Sequence, residues 1–345
     1  MAARAARHAA AVRNGVLAAR CARNPGWVDG AGPGWAPVDT WLGRARTGFG
    51  EDTVLLKGTF LSHDVARAPR SAASGRLAAL GAALRLRRRR AATRTLSQRL
   101  LEGNATSCGL GPAPQGGLRL AQRWAGPLRG AAGVRVAAER TVALAPRSEA
   151  AAVETAVRLQ GSRHDDVAGL AGLRLTAAVD QLSAAAPAEH WAWTGLRVAA
   201  QSDNGGWAAD ADAAPEVPPK ARKGAAIAVL DGGELAFPLA AAAAAGRVLR
   251  LPPRAAVTLS GRDARGCAAQ LRIAPRACAG EPASPPPRAA ELRLDDAGAP
   301  HAVAHVLEPG PIAADATLAH IRSCFELAWT ALQPPDAPPL CTPAL

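Results

Sequence analysis

His301 and His305 stand four residues apart, as do His320 and Cys324, and imidazole nitrogen and thiolate sulfur are donors that zinc favours. The first pair lies in a run that reads as a strand, where positions i and i+4 share a face. The second lies in a run that reads as a helix and flanks its apolar stripe. Were that helix packed on that strand, the four side chains would converge at the centre of a metal-dependent or small-molecule enzyme. The plainer reading weighs more. Val303 and Leu307 share the histidine face, so these histidines read as partly buried structural residues and Cys324 as a buried thiol. No metal or other cofactor is expected. His164-Asp165-Asp166 and Asp210-x-Asp212 offer carboxylates to a divalent cation, but short acidic groups are usually solvated loop residues. Gly30-x-Gly32-x-Gly34 and Gly205-Gly206 lack the strand before and helix after that a phosphate loop needs, and no Gly-Lys-Ser/Thr occurs. No Gly-x-Ser-x-Gly elbow marks a hydrolase nucleophile.

The densest chemistry in the chain is cationic. Arg85, Arg87, Arg88, Arg89, Arg90 and Arg94 follow one another around a helix predicted near 76–102. Such a run is an electrostatic footprint for RNA or for an anionic protein or membrane surface. Aromatic residues are scarce nearby, so base stacking has few platforms and binding would be salt-sensitive and indifferent to sequence. The net charge of +13 is unevenly divided: residues 1–147 hold 24 Arg and Lys against 7 Asp and Glu, a net of +17, whereas 148–345 hold 17 against 21, a net of −4. The 345 residues include 87 Ala, 38 Arg, 34 Gly and 28 Pro, the amino acids with GC-rich codons, so the excess of Arg over Lys reflects base composition. The location of the charge is the informative part. Val, Ile, Leu and Phe make up only roughly a fifth of the chain, near the edge of the disordered class, which predicts a modest core.

No run of large apolar residues is long enough to cross a bilayer as a helix. Cysteines at 21, 108, 267, 278, 324 and 341 form no CxxC pair and read as reduced thiols in an intracellular compartment. Residues 1–28 carry five arginines, His8 and no acid, among Ala and Leu. That is the profile of an organelle transit peptide, which points to a mitochondrion or plastid, otherwise to the cytoplasm, and not to secretion.

The elements that must position these groups follow from periodicity and turn residues. Residues 29–50 and 109–133 are rich in Gly and Pro and read as loop. Glu51 to Phe60 and Val134 to Leu144 read as strands, Ser148 to Leu159 as a helix, and Leu173 to Leu182 as either. A strand from His190 to Ala199 runs into Asp203-Asn204-Gly205-Gly206, a hairpin turn signal. Three hairpins follow, over 227–239, 255–273 and 291–307. Leu318, Ile321, Phe325, Ala328 and Leu332 then make an amphipathic stripe that Pro334-Pro335 would stop.

The predicted fold class is α+β: a C-terminal antiparallel meander covered by one amphipathic helix, behind a basic N-terminal half that is partly disordered and partly helical. The expected segments are a leader (1–28), a basic Gly/Pro/Arg-rich region (29–147), a mixed segment (148–213), a Pro-rich linker (214–224), the α+β unit (225–333) and a tail (334–345). The expected function is that of a non-catalytic accessory or binding protein whose basic half meets RNA or an organelle complex. The alternatives are the enzyme outlined above and a poorly folded product of a GC-rich reading frame.

Overall fold

The structure is a computed structural model that describes residues 2–6, 9–23, 38–44, 53–56, 58–66, 93–101, 107–113, 116–180, 191–201, 207–208, 228–229, 235–237, 248–251, 255–263, 268–278, 289–294, 300–309, 312 and 317–332. In chain order the first strands are β1 (Ala2–Ala6), β2 (Ala9–Arg13), β3 (Leu17–Arg23), β4 (Val38–Arg44), β5 (Thr53–Leu56), β6 (Phe60–Ala66) and β7 (Thr93–Arg99). Then come β8 (Ser107–Pro112), β9 (Leu118–Pro127), β10 (Val134–Leu144), β11 (Ala150–Gly161), a short helix α1 (His164–Ala168) and β12 (Ala171–Asp180). The series continues with β13 (Trp191–Gln201), β14 (Trp207–Ala208), β15 (Ala228–Val229), β16 (Leu235–Phe237) and β17 (Val248–Leu251). It ends with β18 (Ala255–Asp263), β19 (Ala268–Pro275), β20 (Ala289–Leu294), β21 (Pro300–Leu307) and β22 (Leu318–Leu332).

Two sheets collect these strands. The first has the order β1-β2-β3-β4-β5-β12-β21-β20-β17, with β6 beside β12 and β7 beside β6. The second has the order β15-β16-β13-β18-β19-β22-β11-β10-β9-β8, with β14 beside β13. Neighbouring strands pair antiparallel, and strands distant in sequence are interleaved: β5 joins β12, and β11 joins β22. The sheets pack face to face, β1–β3 over β8 and β9, and β12 over β22, as a sandwich.

Alternation explains the strands. Along β10, Val134, Val136, Ala138, Val142 and Leu144 point inward and are buried, while Arg135 is exposed and Glu139 half-buried on the other face. β11 buries Ala151, Val153, Val157 and Leu159 in the same way, and β22 buries Ile321, Phe325, Leu327 and Trp329. Each buried Val, Leu or Phe contributes roughly 1.5–3 kcal/mol, so these three long central strands supply much of the driving force. Asn14-Gly15 turns β2 into β3, Gly15 taking a φ of 99°. Buried Asn14 fixes that hairpin to the other sheet. Its amide donates to the carbonyls of Ala145 (2.7 Å) and Ser148 (2.9 Å), and its Oδ1 accepts from the Leu17 amide at 2.7 Å. Disulfides Cys21–Cys108 and Cys278–Cys324 tie β3 to β8 and the segment after β19 to β22.

The α+β expectation is therefore corrected: among the described residues the only helix is the single turn α1, and none covers a meander. The expected helix over the last stripe is the 15-residue strand β22, and the expected helix over 148–159 is β11. Central strands need both edges paired, and their inward side chains recur every second residue. A run of mixed Ala and larger apolar residues satisfies that period as well as the helical one. Of the predicted helix near 76–102, residues 93–99 form β7, and 76–92 lie outside the described residues. The segments read as loops contain β4, β9 and most of β8, and within the expected leader Ala2–Ala6, Ala9–Arg13 and Leu17–Arg23 form β1, β2 and β3, with Val12, Leu17 and Cys21 in the core. The expected reduced thiols are corrected at four positions, which are paired as disulfides.

Candidate functional site

Two polar arrangements stand out against this apolar frame, one inside the sandwich and one on its outer face. Inside, register places Gln122, Arg140, Thr155 and Ser323 in one row across β9, β10, β11 and β22, all buried. The row divides the core. Leu120, Val142, Val153 and Phe325 pack on one side of it, and Val136, Val157, Leu159 and Ile321 on the other. Gln122 accepts a hydrogen bond from Thr40 of the facing sheet at 3.0 Å. Arg140 donates to the Leu56 carbonyl and to the Thr59 hydroxyl.

Those two acceptors flank a break in the first sheet. β5 and β6 both run along β12, and residues between them interrupt the ladder, with Gly58 at a φ of 80°. Arg140 splints this break from the opposite sheet, and its planar fork meets the two acceptors from two different nitrogens. His305, in register with Ala177, is buried and meets the Phe325 ring at a tilt of 44°, ring centroids 5.7 Å apart. The hydroxyls of Thr155 and Ser323 form no hydrogen bond among the described residues. Nothing in this row is exposed to a substrate, so it is a structural device.

The outer face of the second sheet is a different surface. One cross-strand row there reads Arg123, Glu139, Ala156, Arg322, and the next reads Ala125, Ala137, Arg158, His320. Arg135 stands one row further, opposite Gln160, and Arg119 lies towards the other end of β9. Arg119, Arg123, Arg135, Arg158 and His320 are exposed. Glu139 pairs with Arg123 at 3.2 Å and Glu154 with Arg322 at 2.6 Å. Arg119, Arg135 and Arg158 have no ion-pair partner among the described residues. Arg158 and His320 are directly opposite, so their Cβ atoms are about 5 Å apart, and Arg135 sits on the diagonal at about 7–8 Å. The result is a basic surface whose spacing is set by the register of β9, β10, β11 and β22.

The sequence pointed elsewhere. Arg85, Arg87, Arg88, Arg89 and Arg90 lie outside the described residues, whereas Arg94 is exposed on the edge strand β7. His305, His320 and Cys324 are not brought together. His305 faces the core from β21, His320 is exposed on the outer face of β22, and Cys324 is bonded to Cys278. No group of three His, Cys, Asp or Glu residues fit to hold a metal occurs among the described residues. Asp166 serves the turn into α1, accepting from the Ser162 hydroxyl and the Arg163 amide, each at 2.8 Å. Chiefly the Ser162 hydrogen bond, and then that of the Arg163 amide, holds its carboxyl below the usual carboxylate range. Asp210 and Asp212 lie outside the described residues, as do Gly30–Gly34 and Gly205-Gly206. No helix among the described residues is long and apolar enough to cross a membrane. The signal for the outer face was present in the sequence only as Arg119 and Arg123, four apart in LRLAQR, whereas Arg135 and Arg140 of VRVAAER stand five apart and on opposite faces. Compared with known proteins, the chain matches no family model and no curated sequence.

Proposed function

We propose that this chain is a non-catalytic binding protein that holds an anionic polymer on the outer face of its second sheet. What supports the reading is one observation. Arg119, Arg135 and Arg158 are exposed on a single rigid face and have no carboxylate partner among the described residues. Unneutralised arginines at fixed spacing gain most from phosphate or sulfate groups, which accept their paired donors bidentately. The basic half of the sequence contributes β9 and β10 to this face, and the later, acidic part contributes β11 and β22. The expectation of an anionic partner is thereby moved from the Arg85–Arg90 run to a surface with defined geometry.

Titration with long-chain inorganic polyphosphate, which carries neither bases nor sugars, tests the reading. Affinity should fall steeply with salt, and in Arg135→Ser/Arg158→Ser the slope of log K against log salt should shrink by about 1–2. Absence of binding at low salt, or an unchanged slope in the variant, contradicts it.

A further inference from the structure

We infer that the anionic polymer is a sulfated polysaccharide, a step that rests on the polyanion reading above. The disulfides carry the first part of the argument. Cys21–Cys108 joins the two sheets, and Cys278–Cys324 pins the segment after β19 onto the strand that carries His320 and Arg322. Both pairs are structural cross-links in the body of the sandwich, with Cys21, Cys278 and Cys324 buried. Such bonds form and persist in oxidising compartments and at cell surfaces. Sulfated polysaccharides are the abundant anionic polymers of those compartments, whereas nucleic acid is mostly confined to reducing ones.

The face itself carries the second part. Proteins that hold single-stranded nucleic acid without regard to sequence stack bases on aromatic rings. Here the large aromatics of the four strands turn inward. Phe325 and Trp329 are buried, and Trp124 packs against the core. The outer positions of β9–β11 and β22 offer mostly Arg, Ala, Thr, Glu and Gln, with Pro127 and the exposed Leu318 in the row of Arg135 and Gln160, and His320 as the one aromatic ring among these described positions. Small alanines at 125, 137, 152 and 156 leave shallow floor between the arginine heads. A sulfated chain needs no stacking. It presents charges at intervals along a stiff backbone, and hydroxyls that reach the Thr141 and Gln160 positions. Arg135 and Arg158 lie on a diagonal across adjacent strands, about 7–8 Å apart, a spacing that suits charges spread along such a chain.

The test compares three probes on the full chain at one salt concentration: a heparin dodecasaccharide, the same oligosaccharide after chemical desulfation, and a single-stranded RNA of equal charge. The heparin dodecasaccharide should bind at least ~10-fold more tightly than the RNA, and desulfation should abolish binding. Arg135→Ser/Arg158→Ser should lose ~10-fold or more for heparin while keeping the circular dichroism spectrum of the parent. Equal or tighter binding of RNA overturns the polysaccharide inference and leaves the polyanion reading intact. If none of the probes and no polyphosphate binds, or if the variant binds heparin as the parent does, both fall.

Discussion

Reduction of the disulfides is expected to destabilise this fold more than any single side-chain change. Cys21–Cys108 closes a separation of 87 residues and Cys278–Cys324 one of 46. By the chain-entropy relation, loops of that size restrict the unfolded ensemble by about 4 kcal/mol each. The bonds also act at different seams. The first staples the N-terminal hairpin, whose Val12, Leu17 and Ala19 are fully buried, onto the edge of the second sheet. The second holds the chain beyond β19 against the outer side of β22, where the Arg276 amide also donates to the Cys324 carbonyl at 3.0 Å. Urea unfolding of Cys21→Ala/Cys108→Ala and of Cys278→Ala/Cys324→Ala should each show a loss of about 4 kcal/mol, and a reductant should reproduce the sum. Midpoints unmoved by reductant would mean that neither pair constrains the chain.

The second large effect is expected at Arg140. Arg140→Ala leaves a cavity in the middle of the core and strands the Leu56 carbonyl and the Thr59 hydroxyl, which together should cost about 3–5 kcal/mol. Arg140→Met fills the space and removes the buried charge, so its cost should be limited to the two stranded acceptors, about 1–3 kcal/mol. Arg140→Lys should also be less stable than the parent, because the ammonium on its flexible stem lacks the planar fork that meets the two acceptors from two nitrogens. Thr155→Val, in the same row, removes a hydroxyl that forms no hydrogen bond among the described residues and should be neutral or stabilising. Chemical denaturation of the four variants orders them. An Ala variant within about 1 kcal/mol of the parent would show that Arg140 does not splint the break between β5 and β6.

The ranking of these residues was not legible in the sequence, though several strands were. Val134 to Leu144 was predicted as a strand and is β10, and the three later hairpins appear as β15–β16, β18–β19 and β20–β21. In those segments turn residues separate short alternating runs, and the local signal agrees with the pairing. β22 was misread because Ser323 sits among its inward residues. A polar residue at that position breaks the alternation of Ile321, Phe325, Leu327 and Trp329, and leaves the helical stripe as the better fit. Ser323 is inward because it belongs to the polar row, and that row exists only once β9, β10, β11 and β22 lie side by side. β11 was misread through its alanines, which favour a helix when isolated but here occupy both faces of a central strand.

The outer basic face was hidden for a related reason. Its arginines come from β9, β10, β11 and β22, spread over two hundred residues, and only the pairing of β11 with β22 brings Arg158 beside His320. A contiguous run such as Arg85–Arg90 draws attention in a sequence, while a surface assembled by register does not. Asn14-Gly15 is the local signal inside the expected leader: an Asn-Gly pair between two Ala-rich runs favours a hairpin turn, and it joins β2 to β3.

The most direct test of this account is the cysteine map of the native chain, taken by alkylation followed by non-reducing digestion and mass spectrometry. The bond between Cys278 and Cys324 is the one expected where β22 runs beside β19, and the bond between Cys21 and Cys108 the one expected where the N-terminal hairpin lies over β8. The expected result is two cross-linked peptide pairs, Cys21 with Cys108 and Cys278 with Cys324, and no alkylation at these four positions before reduction. Bonds joining them in another pattern would contradict the sandwich register, and alkylation of these four thiols in the native protein would contradict the cross-links and the oxidising setting on which the polysaccharide inference stands.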